Sequence, residues 1–126
     1  MQRSASRTIL LVDDEIEVCR IIRDYLEKKN FKVSEAHNGT EALTALNNFK
    51  PDLIILDVIM PVMGGFELLE KLKGDGSYAN VPVIMLTVKS DPQHLERGIS
   101  LQADFYLPKP FKLDNLMNFI NLIVKD

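Results

Sequence analysis

The stretch LIILDVIMP, residues 53–61, is a short apolar run that contains one carboxylate and is stopped by a proline. Pro51-Asp52 precedes it and Gly64-Gly65 follows it. A run of this length between such residues favours a central parallel strand over a helix, which would need about ten or more residues. Asp57 then lies at the carboxyl end of the strand, the edge of an open α/β sheet at which ligands bind. Considered alone, Asp57 could equally cap the following turn.

The composition is typical of one soluble globular domain. The chain has 126 residues, of which 46% are hydrophobic and 26% are charged, and these values fit a single domain with one core. No apolar stretch approaches the roughly 18 residues of a membrane span, and residues 1–7 lack the apolar segment of a secretory signal. We therefore expect a cytoplasmic protein with a short N-terminal extension, residues 1–7, and one domain over residues 8–126.

The charge pattern and the single cysteine exclude further classes. The formal net charge is −3 and the sequence has no dense Lys/Arg run, whereas phosphate neutralisation needs clustered basic residues. We expect no nucleic-acid binding within this chain and no membrane contact. Cys19 cannot form an internal disulfide, and its place in a helical pattern favours core packing over a reactive or metal-binding role.

Strand and helix patterns alternate along the whole chain. Asn30 is placed to end the first helix in a left-handed conformation, and Asn38-Gly39 is typical of a turn. The predicted strands are residues 8–12, 31–36, the central run, 81–86 and 104–107. The predicted helices are residues 15–29, 41–49, 65 to the glycine-rich cluster at 74–77, 90–101, and a terminal helix over about 113–124.

This alternation predicts a parallel sheet with helices on both faces, because each parallel connection must cross over and does so right-handedly. The predicted fold is therefore a three-layer α/β sandwich. About five strands in a chain of this length fit the flavodoxin-like order 2-1-3-4-5, which places the first and third strands side by side.

Polar residues interrupt the apolar runs at the same edge of this predicted sheet. Asp13-Asp14 ends the first strand, Asp57 the third, Thr87 the fourth and Lys109 the fifth. Since neighbouring strands lie about 4.8 Å apart, the carboxylates would converge and repel one another unless a cation lies between them. Clustered oxygen ligands of this kind suit Mg²⁺. The sequence shows no His/Cys cluster for zinc, and His37 and His94 stand alone as expected surface residues.

Four segments together resemble the receiver domain of two-component response regulators. They are ILLVDDE at residues 9–15, LDVIMP at 56–61, Leu86-Thr87, and YLPKPF at 106–111. The resemblance covers nearly the whole chain, from Thr8 to the last helix. Each motif alone would be weak, but five matched positions at their expected strand ends and in order are specific.

The resemblance implies a phosphorylation-activated switch rather than an enzyme that acts on other molecules. Asp57 would be the phosphoacceptor, taking a phosphoryl group from the phosphohistidine of a histidine kinase or a histidine phosphotransfer protein. Asp14 would be a direct Mg²⁺ ligand and Asp13 would act mainly through a water. The backbone carbonyl of Ile59 would complete the protein's share of the coordination. The domain would assist its own phosphorylation and dephosphorylation.

The same resemblance assigns the remaining polar positions. Lys109 would place a positive charge on the phosphoryl group, and the Thr87 hydroxyl would donate to another of its oxygens. Lys109-Pro110 resembles the family's cis peptide. Tyr106 would be the switch aromatic, and the face made by the fourth predicted helix, the fifth strand and the terminal helix would bind an output partner or a second copy. Without these matches, Thr87 would be interpreted as a turn former and Tyr106 as half-buried packing.

Three positions depart from the usual family pattern. Val88 follows Thr87 where a small residue is common, and its bulk narrows the space above the acceptor. Gln102 stands where a glycine usually ends the fourth helix. Gly64-Gly65 replaces the more usual Asp-Gly, a change that we expect to affect only the turn.

Other classes of protein remain as alternatives. A phosphatase of the haloacid dehalogenase type also uses a strand-end Asp with Mg²⁺, but Ile59 occupies the position of its second Asp. A flavodoxin-like cofactor binder would need a phosphate-cradling loop where this chain has acidic residues. The last alternative is an interaction module with an inert pocket. It would be distinguished from a receiver by an Asp57 that cannot be phosphorylated. The chain ends directly after the last predicted helix, which fits a stand-alone receiver or a piece of a longer regulator or hybrid kinase.

Overall fold

The computed structural model describes residues 7–58, 60, 63–88 and 103–124. Within these residues the chain alternates five strands and four helices. They are β1 (Thr8–Val12), α1 (Ile16–Glu27), β2 (Lys32–Ala36), α2 (Gly39–Leu46), β3 (Leu53–Asp57), α3 (Gly65–Gly74), β4 (Val83–Val88), β5 (Phe105–Lys109) and α4 (Leu113–Ile123). The helix predicted over residues 90–101 lies outside the described residues. No described helix is both long and apolar enough to cross a membrane.

All five strands are parallel and lie in the order β2-β1-β3-β4-β5. The predicted flavodoxin-like topology is therefore confirmed. Val12 of β1 pairs with Leu56 of β3, and Asp57 pairs with Leu86 of β4. The carboxyl ends of β1, β3 and β4 thus lie at the same edge of the sheet. The β5 strand reaches this edge as well, because Lys109 pairs with Val88 of β4.

The strand residues point alternately into two apolar cores, one on each face of the sheet. Leu10 and Leu56 belong to the core beneath α2 and α3, whereas Leu11 and Ile55 belong to the core beneath α1 and α4. Every residue of β3 is buried, because helices cover both of its faces. The three-layer arrangement predicted from the alternation of strands and helices is confirmed.

Several boundaries differ from the predicted ones, and capping explains the earlier start of α2. The α2 helix begins at Gly39 and ends at Leu46 rather than running over residues 41–49. The side-chain oxygen of Asn38 accepts a hydrogen bond from the backbone N–H of Glu41 at 2.8 Å, so the expected turn is the amino-terminal cap of the helix. Asn30 has φ 73° and follows α1 in the expected left-handed conformation.

The last two strands begin and end later than predicted because they pair in register with their neighbours. The β4 strand starts at Val83, beside Ile54 of β3, and continues to Val88. Val88 in turn pairs with Lys109 of β5. Lys109 is therefore held as a strand residue, with its backbone fixed by the sheet rather than by a loop.

Candidate functional site

Three acidic side chains meet at the carboxyl edge of the sheet. Asp13 and Asp14 follow β1, Asp57 is the last residue of β3, and their carboxylate oxygens lie within 4.8 Å of one another. Asp13 is fully buried and Asp57 is 5% exposed, whereas Asp14 is exposed. We call these residues and Lys109 the carboxylate pocket.

Lys109 reaches the pocket from the end of β5. Its Nζ lies 3.3 Å from Asp13 Oδ2, 3.4 Å from Asp57 Oδ1 and 3.5 Å from Glu15 Oε1. Burial alone would lower the pKa of Lys109, but the charges of Asp57 and Asp13 outweigh burial and raise it above the ordinary value. The lysine therefore remains a cation within reach of Asp57. The Lys109-Pro110 peptide is cis, as expected.

The backbone around Asp13 fixes one of its two carboxylate oxygens. Oδ1 accepts a hydrogen bond from the backbone N–H of Glu15 at 3.0 Å, while Oδ2 faces Lys109. The N–H of Asp13 donates to the carbonyl of Ala36 at 3.1 Å. The thiol of Cys19 donates to the Asp13 carbonyl at 3.3 Å. Neighbouring elements thus hold both the main chain and the side chain of this buried acid.

Thr87 lies at the same sheet edge as Asp57. It is 5% exposed, it follows the residue that pairs with Asp57, and it stands opposite Pro108 of β5. Tyr106 is half-buried beside the core under α2 and α3, and its hydroxyl donates to the Ala103 carbonyl at 3.4 Å. Burial, followed by the charge of Asp104, raises the pKa of the Tyr106 phenol.

Gly65 begins α3, as the sequence predicted, but its contact with the backbone of β3 was not predicted. A methyl group at Gly65 would lie 2.2 Å from the backbone carbonyl oxygen of Asp57. Two non-bonded atoms cannot approach so closely. The N–H of Gly65 donates to the carbonyl of Val58 at 2.9 Å. Only glycine allows the start of α3 to pack against the backbone of Asp57. The only sign of this contact in the sequence is the glycine that follows the third strand. A glycine there does not indicate which residue it contacts.

The donor set of the pocket fits Mg²⁺. Every acidic ligand atom in it is a carboxylate oxygen, the type that hard divalent cations prefer, and two of the three carboxylates are buried. Three carboxylates and one ammonium leave an excess of two negative charges, which a divalent cation would balance. Ile59, the expected carbonyl ligand, lies outside the described residues.

A second group of potential ligands corrects one expectation. Cys19 is buried in the core as predicted, but the sequence analysis was wrong to treat Cys19 and His37 as unrelated. Ligand atoms of Cys19, Glu35 and His37 lie within 4.8 Å of one another. His37 is half-buried, with Nε2 at 2.9 Å from Glu35 Oε1. His94 lies outside the described residues.

Comparison with known proteins gives one consistent family. Residues 9–121 match the family described as the response regulator receiver domain. Probable transcriptional regulator ycf29 of Porphyra purpurea is 40% identical over 122 residues, which are 96% of this chain and 58% of that protein. The phosphate regulon transcriptional regulatory protein PhoB of Pseudomonas aeruginosa is 35% identical over 119 residues, 94% of this chain and 52% of that protein. The chain thus spans a little over half the length of these curated relatives.

Solved structures agree in fold along nearly the whole chain. The chemotaxis protein CheY4 of Vibrio cholerae has a TM-score of 0.89 at 32% identity, covering 95% of this chain and all of that one. The signal receiver domain of a signal transduction histidine kinase from Syntrophus aciditrophicus has a TM-score of 0.88 at 35% identity. That match covers 94% of this chain and 89% of the other.

Proposed function

Because this chain belongs to the response regulator receiver domain family, whose members are phosphorylation-activated signalling switches, we propose that Asp57 is its phosphoacceptor. The observation that carries the proposal is the convergence of Asp57 with the Nζ of Lys109, 3.4 Å away, and with two more carboxylates. These groups come from strands far apart in the sequence. They provide a nucleophile, a cation beside it and ligands for a metal.

In the proposed reaction, a carboxylate oxygen of Asp57 attacks the phosphorus of a phosphohistidine on a histidine kinase or a histidine phosphotransfer protein. The new O–P bond makes an acyl phosphate, and the P–N bond breaks with its electron pair left on the imidazole nitrogen. Lys109 is positioned to offset charge on the transferred group, and the Thr87 hydroxyl to donate to one of its oxygens. Water later hydrolyses the acyl phosphate and regenerates Asp57.

Receiver domains generally bind Mg²⁺ at an acidic pocket, and here Asp13, Asp14, Asp57 and the Ile59 carbonyl would hold it. When bound, the ion offsets negative charge on the phosphoryl oxygens. In its absence Lys109 is a cation within 3.4 Å of both buried carboxylates, those of Asp13 and Asp57. Metal-free protein should therefore accept the phosphoryl group far more slowly.

The readout of phosphorylation would pass through Thr87 and Tyr106. The added charge and acceptor oxygens draw the Thr87 hydroxyl towards the acceptor, and the half-buried ring of Tyr106 turns into the space that the threonine leaves. The face made by β5, α4 and the fourth predicted helix would then change its affinity for an output partner or a second copy. Because only a free-energy difference between the two arrangements can drive this shift, phosphorylation must favour one of them.

A groove of about 410 Å³ beside Lys109 is the place where we expect the histidine-bearing donor to dock. It is lined mainly by apolar side chains of α1 and of the segment after β5, among them Val18, Ile21, Pro110 and Phe111. Ile21 is 58% exposed, which is unusual for a large apolar side chain beside a charged pocket. The groove and the acceptor share Lys109, so a partner seated there would be next to Asp57.

The central test is phosphorylation with acetyl phosphate and Mg²⁺, followed by intact-mass analysis at mild pH, since acyl phosphates are labile to alkali. We expect one phosphoryl group on the wild type and none on Asp57→Asn. Asp24→Asn, an exposed aspartate of α1, is the matched control and should be phosphorylated like the wild type. Equal phosphorylation of Asp57→Asn and wild type would overturn the assignment.

The docking surface is tested separately with two donors. Ile21→Asp should slow transfer from a phosphohistidine protein at least tenfold while leaving phosphorylation by acetyl phosphate unchanged, because only the protein donor needs the groove. Leu122→Asp on α4 is the matched control, since Leu122 is also 58% exposed and does not line the groove. Equal slowing by both variants, or no slowing by Ile21→Asp, would remove the groove from the proposal.

A further inference from the structure

A group of three ligand-bearing side chains lies between α1 and the end of β2, outside the carboxylate pocket. Cys19 comes from α1, Glu35 from β2 and His37 from the residue after β2, and their ligand atoms all lie within 4.8 Å of one another. Cys19 is fully buried, while the side chains of Glu35 and His37 are 16% and 34% exposed. We call them the thiol–imidazole cluster. Within this cluster the Cys19 thiol is buried in the core, and solvent reaches the His37 imidazole.

The chemistry of these donors differs from that of the pocket. A thiolate, an imidazole and a carboxylate form a mixed S, N and O set, which suits Zn²⁺ and related borderline ions and does not suit Mg²⁺. Three protein ligands with an open fourth position also match the coordination number of zinc when one ligand is a water. A separation of at most 4.8 Å between ligand atoms requires only small side-chain movements to place all three around one ion.

Groups around the cluster already orient two of the ligands. His37 Nδ1 lies 3.7 Å from Glu41 Oε1, and a carboxylate behind the imidazole is a common outer partner of a zinc-bound histidine. Glu41 is itself held, because its Oε1 accepts the backbone N–H of His37 at 2.9 Å. Arg23 Nη1 lies 3.1 Å from Glu35 Oε2, which leaves Glu35 Oε1 facing His37 Nε2 at 2.9 Å. The two ligand atoms therefore contact each other directly, and an ion would have to come between them.

We propose that Cys19 Sγ, Glu35 Oε1 and His37 Nε2 form a zinc-binding site, with a water as the fourth ligand. Binding needs the lone pair of His37 Nε2, so the ring stays neutral with its proton on Nδ1, which lies beside Glu41. The Cys19 thiol releases its proton to solvent. It enters from the side of the exposed imidazole. The site uses no residue of the carboxylate pocket, so it is independent of the phosphoacceptor assignment.

The test uses Co²⁺ as a spectroscopic substitute for Zn²⁺, with the full chain and an excess of Mg²⁺ to occupy the carboxylate pocket. Coordination by Cys19 gives a thiolate-to-cobalt charge-transfer band in the near ultraviolet, which oxygen ligands do not give. We expect one equivalent of Co²⁺ to produce the band and one equivalent of Zn²⁺ to remove it. Absence of the band from the wild type overturns the proposal.

Variants then assign the ligands. His37→Asn should weaken Co²⁺ binding at least a hundredfold and Glu41→Gln about tenfold, since outer partners of metal ligands typically change affinity 10- to 100-fold. Asp14→Asn, which alters the other site, should leave the band and its affinity unchanged. Cys19→Ala removes a buried side chain and is checked for folding by circular dichroism. If it does not fold, the His37 variant decides, and a band of unchanged affinity in His37→Asn overturns the proposal.

Discussion

The carboxylate pocket and the thiol–imidazole cluster lie close together but achieve charge balance in opposite ways. In the pocket, the Lys109 ammonium contacts two of the three clustered carboxylates, so the protein leaves a negative excess for a cation to balance. In the cluster, the Glu35 carboxylate contacts both Arg23 and His37, so the protein neutralises its own acid. The pocket therefore attracts cations by charge, whereas the cluster would select them by ligand type.

The two sites are joined by one hydrogen bond. Cys19 of the cluster donates its thiol proton to the backbone carbonyl of Asp13 in the pocket. Burial, and then the negative charge of Asp13, raise the pKa of the Cys19 thiol to about 12, so without a bound metal ion the thiol keeps its proton and this hydrogen bond at neutral pH. The difference between the sites can be tested by changes that affect one and leave the other intact.

The largest effect should come from Gly65→Ala. Its methyl group would overlap the backbone of Asp57, and because backbone cannot move aside easily, we expect a loss of about 3 kcal/mol in the free energy of unfolding. Mg²⁺ binding should fall with it, while the thiol–imidazole cluster keeps its Co²⁺ spectrum. Gly74→Ala is the control: no atom lies within 4 Å of its added methyl, and α3 should gain up to about 1 kcal/mol. Urea unfolding compares the two, and equal stabilities would refute the close contact.

Lys109→Met should change the pocket in two opposite directions. We expect phosphorylation by acetyl phosphate to slow about a hundredfold, because a preorganised cation beside the acceptor is lost. Mg²⁺ should bind several-fold more tightly, because the variant removes a positive charge that lies 3.3 Å and 3.4 Å from two of the carboxylates. Rates come from intact-mass time courses and affinities from NMR titration. Weaker Mg²⁺ binding in this variant would contradict the charge argument.

Mg²⁺ itself should stabilise the wild type by about 1.4 kcal/mol at ten times its dissociation constant, since it binds only the folded state. Asp14→Asn should lose this response. Without metal, however, Asp14→Asn should be more stable than the wild type, because one of three mutually repelling carboxylates is gone. Thermal unfolding with EDTA and with Mg²⁺ measures both effects. A metal-free variant less stable than the wild type would show that Asp14 has a different structural role.

The smallest effect concerns the cluster. Burial alone would raise the pKa of Glu35, but hydrogen bonds from His37 and Arg23 outweigh it and lower the pKa below 4.5. A lowered folded-state pKa stabilises the protein above pH 4.5, and that contribution is lost as the pH falls through the folded value. Glu35→Gln should therefore cost about 0.5 to 1 kcal/mol at pH 7, given the partly exposed Arg23.

Unfolding of wild type and Glu35→Gln in the presence of a chelator, from pH 7 to pH 3, measures this contribution. The difference in unfolding free energy should shrink below pH 4.5. Glu17→Gln, an exposed glutamate in the first turn of α1, serves as the control. A difference that grows towards low pH would have the wrong sign and would contradict the assignment.

The pocket and the cluster also differ in how far the sequence could predict them. Asp13, Asp57 and Lys109 each end an apolar strand, and a parallel sheet brings such ends to one edge whatever the details of packing. Cys19, Glu35 and His37 meet only because α1 rests on β2 with one particular rotation, which periodicity does not specify. The start of α3 at Gly65 was predicted, but the contact of Gly65 with the backbone of Asp57 depends on how closely α3 approaches β3. The topology was therefore predictable, and contacts between neighbouring layers were not.

The spacing of the pocket residues along the chain has a consequence for the cell. Asp13 and Lys109 are 96 residues apart yet in contact, so closing the pocket requires nearly the whole sheet to be assembled. A nascent chain whose synthesis has not reached β5 has Asp57 but lacks the cation beside it. Under the proposed function, such a chain, or one misfolded at its last strand, should neither consume phosphoryl donor efficiently nor generate a false signal. If Asp57 is the phosphoacceptor, its efficient phosphorylation would thus report that the sheet has been assembled as far as β5.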